Sequence, residues 1–402
     1  MALLNIVIMK PIAEIFSQGE EVVTGQTVDS NAAWLSQQLN GLGFAVKRHT
    51  AVGDNLADLV ALIGEIANRA DCCICTGGLG PTIDDLTAEA VSVASGQALQ
   101  FDPIALAAIE QYYACRQRIM PPANRKQAML PQDAIRIDNP VGTAPGFALQ
   151  IQTCWFVFLP GVPAEMKAMF SQQIVQQLPQ RFELQADCLV TLRSVGIGES
   201  AIQQQLQDFK LPDAVQLGFR AAVDEVQTKL LFPADFPETE KQACVAHVRQ
   251  LIGDYVFAID GLTGEEGDLL TVIDRSIRQR QYSLALLETA SQGLIAARCL
   301  GRDWLKSVSI QLQSLDSDSI KQLASQLQQS QQTDLALVQL YTGTASDYRD
   351  KQQAIVLYNA LQTPDGIFTS QNTIAGSQTY KQTQAAIMAL DLLRRYLQNS
   401  CL

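Results

Sequence analysis

The stretch Asp71-Cys72-Cys73-Ile74-Cys75-Thr76-Gly77-Gly78-Leu79-Gly80-Pro81-Thr82-Ile83-Asp84-Asp85 decides the fold. Residues 71–76 form a short, unbroken apolar run, as expected of a strand covered on both faces, and the run stops in a glycine-rich loop. A helix is predicted over residues 84–94. Upstream, residues 12–17 alternate like a strand and end at Gly19. Asp29 or Ser30 can then cap a helix with Leu35, Leu39 and Leu42 on one face. Residues 45–52 read as a second strand. Asp54 or Asn55 caps a helix whose stripe is Leu56, Leu59, Val60, Ile63 and Ile66. This βαβαβ rhythm predicts an α/β domain built on a parallel, doubly wound sheet.

Downstream, strands are predicted at 134–137, 146–151 and 155–159, closing a first domain over residues 12–170. Residues 171–260 hold short alternating stretches, 192–195 and 226–232, separated by a helix near 201–209, and read as a small α+β domain. Residues 261–402 read as a further α/β domain, with helices at 269–279, 292–300 and 383–397 and a strand at 283–287. The Gln-rich segment 322–332 has a Leu spacing compatible with a solvated helix face. The length, 402 residues, fits two or three domains at roughly 150 residues each.

Apolar residues make up 47% of the chain and charged ones 17%, the composition of a globular protein. Twenty-nine Lys and Arg against 41 Asp and Glu give a net charge of -12, which repels nucleic-acid backbones and anionic membrane leaflets at long range. A small phosphorylated ligand stays compatible with that charge, because a few backbone N–H groups and one metal ion can hold a phosphate. The two histidines, His49 and His247, exclude a multi-histidine zinc site and read as structural. Nine cysteines, with Cys72, Cys73 and Cys75 inside an apolar run, point to a reduced, cytoplasmic setting. The first ten residues are too short for a secretory signal, and no 18-residue apolar stretch follows. The regular pattern begins at Ile12, which suggests a start at Met9.

In an open parallel sheet, ligands sit outside the carboxyl ends of the strands. Two segments converge there: Gly19-Glu20-Glu21 and the loop Gly77, Gly78, Leu79, Gly80, Pro81 and Thr82. The loop is either a tight strand-to-helix turn or a phosphate cradle in which N–H groups approach an anion with no Cβ in the way. Asp84, Asp85 and Glu20 surround the same place, and a divalent cation such as Mg²⁺ reconciles them with a phosphate. Such an ion also acidifies a coordinated water, so hydrolysis of a pyrophosphate follows. For one of Asp84 and Asp85, complementing a helix dipole is a sufficient role, and Asp85 is favoured as the functional one. Three further segments are dense in turn and polar residues: 124–127, 139–146 and 159–166. Each is either an ordinary connection or a surface for base and ribose, with Arg125 or Lys126 neutralising phosphate charge.

These stretches carry a resemblance. Gly19-Glu20-Glu21, Asp29-Ser30-Asn31-Ala32-Ala33-Trp34-Leu35, Val52-Gly53-Asp54, the run from Gly77 to Thr87, Asn124-Arg125-Lys126-Gln127-Ala128 and Pro160-Gly161-Val162-Pro163 together resemble the CinA (competence/damage-inducible protein A) family. The resemblance implies a first domain of the molybdopterin-binding fold shared with MoaB/MogA-like proteins of molybdenum-cofactor biosynthesis. It also implies a KH-like middle domain, echoed by Val195-Gly196-Ile197-Gly198-Glu199-Ser200, and a C-terminal amidohydrolase-like domain.

The activity implied is metal-dependent hydrolysis of ADP-ribose to AMP and ribose 5-phosphate. Asp85 and Glu20 are the catalytic residues, Asp85, Asp84 and Glu20 the ligands of Mg²⁺, Mn²⁺ or Co²⁺, and the loop from Gly77 to Thr82 binds phosphate. Asn31, Asn124, Gln127, Asn139, Gly142, Thr143, Gly161 and Pro163 contact the rest of the substrate. The family's Gly-Asp-Glu is Gly19-Glu20-Glu21 here, which alters the reach of the first carboxylate. The family's Ala-Glu-Ser-Cys-Thr-Gly-Gly motif of nicotinamide mononucleotide amidohydrolysis aligns with Leu287-Glu288-Thr289-Ala290-Ser291-Gln292-Gly293, with Thr289 in place of the nucleophilic serine. A threonine is stiff at χ1 and needs a site built for it, so this second site is expected to be inactive.

The alternative is a non-catalytic protein that binds a nucleotide or pterin for sensing, and adenylyl transfer to molybdopterin is a third reading on the same fold. The acid at Glu199 in the glycine turn of the middle domain argues against nucleic acid, leaving a spacer or dimer contact, with a homodimer as the expected assembly.

Overall fold

A computed structural model describes residues 10–262, 266–311 and 319–398, so the start at Met9 lies outside the described residues. The chain divides into two compact units, residues 1–187 and 188–402.

In the first unit β1 (Ile12–Gln18), β2 (Ala45–Val52), β3 (Cys72–Thr76), β4 (Leu99–Phe101), β5 (Met129–Pro131), β6 (Ile135–Ile137), β7 (Gly146–Ile151) and β8 (Cys154–Leu159) follow in chain order. Six of them make one sheet in the order β2-β1-β3-β8-β7-β6, while β4 and β5 pair separately. The four strands β2, β1, β3 and β8 are parallel; β7 and β6 add an antiparallel edge that the parallel-sheet expectation does not contain.

The winding follows from strand alternation. Cys73 and Cys75 point into a core with Leu59, Ile63 and Ile66 of the helix Leu56–Ala67. Cys72 and Ile74 point to the opposite face, against Leu35 and Leu39 of the helix Ser30–Leu42. Both helices start as the sequence predicts: Asp29 accepts from Ala32 N–H at 2.9 Å, and Asn55 accepts from Ala57 and Asp58 N–H at 2.9 and 3.2 Å.

Two boundaries differ from expectation. The helix predicted from residue 84 starts at Thr87, because the Asp85 carboxylate turns back and accepts the N–H and hydroxyl of Thr82, closing a turn that competes with helix. The segment after β8 does not stop at residue 170. Helix continues through Pro163–Met169, Phe170–Ile174 and Val175–Arg181, with Phe170 and Ile174 fully buried.

The second unit holds two sheets. Strands β9 (Cys188–Ser194), β10 (Gln216–Ala221), β11 (Val226–Phe232) and β12 (Val256–Asp260) form an antiparallel sheet in the order β10-β11-β9-β12. Helices Glu199–Gln205 and Glu238–Ile252 complete this α+β part. Strands β13 (Leu284–Glu288), β14 (Leu305–Ile310), β15 (Leu335–Thr342), β16 (Ile355–Thr363) and β17 (Gly366–Ile374) form a mixed sheet in the order β14-β13-β15-β16-β17. One core joins the two parts: Val195, Phe257 and Ala258 pack with Leu269, Ile273 and Leu390. The final helix, Gln378–Leu397, clamps this junction through Arg394, which donates to Asp254 O at 2.9 Å.

Candidate functional site

The carboxyl ends of β1, β3 and β8 meet at the glycine loop. Gly77 N–H donates to Leu159 O at 3.0 Å, and Thr87 returns to the loop through its N–H on Gly78 O at 3.2 Å and its hydroxyl on Gly77 O at 2.9 Å. Gly77 and Gly78 have φ of +100° and +65°. A Cβ on Gly77 would run into Gln18 O, and one on Gly78 into Gln18 Oε1 and Thr87 Oγ1, so glycine is required twice over.

From outside, the turn Pro122–Ala128 grips the loop's carbonyls. Lys126 Nζ donates to Thr82 O at 3.1 Å and Gln127 Nε2 to Leu79 O at 3.2 Å. With those carbonyls engaged, the N–H groups of Gly78, Leu79 and Gly80 donate to no protein acceptor among the described residues. Three consecutive idle donors beside an ammonium group have the form of a nest that could hold an anion. A small cleft borders it, lined by Gly80, Asp85, Lys126, Gln127 and Phe147. A larger cleft of about 720 Å³, lined by Asp254, Ser276, Gln279 and Gln398 among others, lies in the second unit and includes none of the residues singled out by sequence.

Around the nest stand the carboxylates. Asp54 accepts Gln18 Nε2 at 2.8 Å and Glu20 N–H at 3.2 Å, which locks the end of β1 to the end of β2. Glu20 is exposed, and its carboxylate lies over Gly53, where a Cβ would overlap it. The Asp85 carboxylate lies over Gly80 in the same manner. Asp84 is fully exposed; the Thr82 hydroxyl, its own N–H and, at longer range, Lys126 hold its carboxyl below the ordinary range. Among the described residues no group of three or more His, Cys, Asp or Glu stands close enough to build a metal cage from protein alone. Mg²⁺ does not demand one: one or two carboxylates plus substrate phosphates suffice, and Glu20, Asp84 and Asp85 are carboxylates that could serve in that way beside the loop.

The remaining sequence-selected residues fall into three groups. Asn124 and Gln127 are buried and bonded to each other at 2.8 Å, so their contribution is to hold the loop. Asn139 accepts from Val141 and Gly142 N–H and donates to Glu165 Oε2 at 2.8 Å, while Thr143 is half-buried beside this turn. Asn31 is buried and donates through Nδ2 to Gly161 O at 2.7 Å; its Oδ1 has no partner. Gly161 and Pro163 are exposed on the turn after β8. Sequence reasoning does not single out Gln18, Thr87 or the anchoring role of Asp54. Their signal is a polar residue at the end of an otherwise apolar strand or at the start of a helix. The two histidines stay outside the site: His49 contacts Ser36 Oγ, and His247 packs on Phe209.

Thr289 lies in the second unit, at the end of β13. It has no exposed surface, and its hydroxyl donates to Gln339 O at 3.0 Å. Its neighbours are equally buried: Ser291 N–H donates to Gln339 Oε1 at 2.8 Å, and Glu288 accepts Ile295 and Ala296 N–H at 3.1 and 3.0 Å. Gln292, at a position where the family motif has glycine, keeps a left-handed backbone with φ of +52°.

A mixed α/β sheet with a glycine nest at its carboxyl edge defines a molybdopterin-binding-like domain, and residues 14–180 match the family described as "Probable molybdopterin binding domain". A CinA-like protein of Escherichia coli SMS-3-5 is 37% identical over 388 residues, covering 96% of this chain and 94% of that protein. The Escherichia coli K12 relative named "NMN amidohydrolase-like protein YfaY" aligns with the same identity and coverage. A crystal structure of a CinA protein of unknown function from Thermoplasma acidophilum is 34% identical, covering 42% of this chain and 99% of that one, with a TM-score of 0.40. The chain belongs to the CinA-like protein family.

Proposed function

We propose that the first unit hydrolyses the pyrophosphate of ADP-ribose to AMP and ribose 5-phosphate, and that the second unit has lost amidohydrolysis of nicotinamide mononucleotide. The observation that carries the first part is the row of idle N–H groups at Gly78, Leu79 and Gly80, on the same loop as Asp84 and Asp85. In this reading those amides bind non-bridging phosphate oxygens, and Lys126 adds positive charge beside them. Glu20, whose carboxylate has no hydrogen-bonding or ion-pair partner among the described residues, accepts the proton of the attacking water. The water oxygen joins one phosphorus, and the bridging oxygen departs with the other phosphate. Asp85 holds the loop in shape through Thr82. A divalent cation, Mg²⁺, Mn²⁺ or Co²⁺, would be held by one or two of Glu20, Asp84 and Asp85 together with the substrate's phosphates, and would supply charge neutralisation and water activation.

The test is AMP release from ADP-ribose by protein stripped of metal and then supplied with each cation. Turnover only with a cation supports the reading. ADP-ribose binding without turnover replaces it with nucleotide or pterin binding, and no binding at all overturns both.

For the second unit, the support is that the Thr289 hydroxyl is committed to a backbone carbonyl inside the core. Ammonia release from nicotinamide mononucleotide should not exceed that of a Thr289→Ala control; a clear excess would overturn this part.

A further inference from the structure

Strand β17 is an edge of the mixed sheet, and its inward face carries Phe368, Ser370, Asn372 and Ile374 in alternation. The ends of that row pack as a covered face should. Phe368 lies against Tyr396 with ring centroids 5.5 Å apart, and Ile374 joins a core with Tyr341 and Ala385. The middle of the row is polar. An antiparallel edge strand ordinarily carries its polar residues on the outer, solvated face. Ser370 and Asn372 instead line a cleft of about 300 Å³, together with Tyr255 and, from the final helix, Met388, Asp391 and Arg395.

The charged groups there are held in place with their outer ends idle. Asp391 accepts from Arg394 Nε and from Arg395 Nε, both at 2.9 Å. The Arg395 guanidinium also sits over the Tyr255 ring, 5.3 Å from its centroid. Its two terminal nitrogens donate to no protein acceptor among the described residues, and the side chain is 21% exposed, so a ligand can reach them. Ser370 Oγ accepts Asn359 Nδ2 at 3.1 Å, which leaves the hydroxyl hydrogen to donate. The half-buried Asn372 amide has no partner among the described residues.

Two guanidinium groups against one carboxylate leave a single positive charge in the cleft. Asp254 meets Arg394 through its carbonyl and lines the larger cleft instead. A pair of terminal guanidinium N–H groups matches the two oxygens of a carboxylate. Beyond Gly196 and Met388 a neighbouring cleft carries Glu199, Asp224 and Glu225, which would repel a second anionic group.

We propose that this cleft binds a small polar monocarboxylate, with the carboxylate on the terminal nitrogens of Arg395 and a hydroxyl or amide of the same molecule on Ser370 and Asn372. The site belongs to the second unit and is independent of the glycine loop.

The experiment titrates glycerate, and glycerol as its uncharged counterpart, into the full chain by ligand-observed NMR. Wild type is expected to bind glycerate in the millimolar range suited to so small a ligand, and not to bind glycerol. Arg395→Met removes the fork, and Asn372→Asp sets a repelling carboxylate beside it; each should weaken glycerate binding by about tenfold or more. Inorganic phosphate should not displace bound glycerate. No glycerate binding by wild type overturns the proposal, as does glycerol binding equally well. Binding that neither variant weakens lies elsewhere in the chain and overturns it too, while displacement by phosphate overturns the choice of a monocarboxylate. Should Arg395→Met fail to fold, Asn372→Asp on the edge strand decides.

Discussion

Gly78→Ala isolates the requirement for glycine at the nest, because Gly25 provides a matched control. Both glycines are left-handed, with φ of +65° and +76°, but a Cβ on Gly78 would overlap Gln18 Oε1 and Thr87 Oγ1, whereas one on Gly25 meets nothing within 4 Å. Left-handed backbone costs a residue with a Cβ roughly 1–2 kcal/mol, common to both variants. Overlap in a packed surrounding adds about 1–3 kcal/mol at Gly78 alone. Loss of glycine's freedom in the unfolded chain returns about 0.4–1 kcal/mol to each and cancels in the comparison. Gly78→Ala should therefore be less stable than Gly25→Ala by about 1–3 kcal/mol. With a urea slope of about 2 kcal/mol/M, the midpoint of the first unit falls by roughly 0.5–1.5 M relative to the control. Urea unfolding followed by fluorescence reads this, since Trp34 and Trp155 both lie in that unit. Equal midpoints for the two variants would refute the steric argument and leave only backbone strain. Binding of ADP-ribose should fall in Gly78→Ala at urea-free conditions and stay unchanged in Gly25→Ala.

Lys126→Ala should weaken ADP-ribose binding by about tenfold while changing stability by less than about 0.5 kcal/mol, because its side chain is 31% exposed and its ion-pair partner Glu89 is exposed; titration calorimetry and urea unfolding measure the two. Gln292→Gly should stabilise the second unit by roughly 0.5–1 kcal/mol, since left-handed strain of about 1–2 kcal/mol is relieved against glycine's extra unfolded entropy of about 0.4–1 kcal/mol; an unchanged or lowered urea midpoint would contradict this. Asp334, bonded to Ser283 N–H at 2.8 Å and hydroxyl at 2.6 Å, has a depressed carboxyl pKa, caused first by the Ser283 hydroxyl. Its stabilisation is present above its unfolded value of about 3.9 and is lost as pH falls through the lower folded value. The acid limb of stability below about pH 4 should thus be shallower in Asp334→Asn than in wild type.

The first unit is legible in sequence because three kinds of signal agree there. Asp29 and Asn55 cap helices at their expected positions, the strands carry continuous apolar runs, and the glycine loop punctuates them. The second unit is harder to read. In β17, exposure alternates residue by residue, but Ser370 and Asn372 face inward and Ile367 outward, so burial and polarity do not alternate together. The helix Glu238–Ile252 buries only Cys244, Val245, Val248 and Ile252 under a strongly charged face, and the sequence reading does not assign it.

Around the glycine loop, residue types gather the candidate residues without revealing their partners. Asn124 and Gln127 look like ligand contacts, yet each faces the other. Lys126, one residue away, reaches the loop. Asp85 reads as a helix-start acid but closes a turn with Thr82, a choice between two local hydrogen bonds that composition does not settle.

The thiols turn the architecture into a clock. Cys72, Cys73, Cys75 and Cys154 are sealed within the six-stranded sheet, and burial pushes all four thiols above their ordinary acidity, while Cys115 on the surface is open to reagent. A thiol-specific label therefore marks Cys115 at once and the sheet cysteines only when the first unit opens. Mass spectrometry of the labelled peptides reports the opening rate of that unit under native conditions, without denaturant. Cys299, enclosed in the second unit, supplies an independent timer for its partner in the same sample.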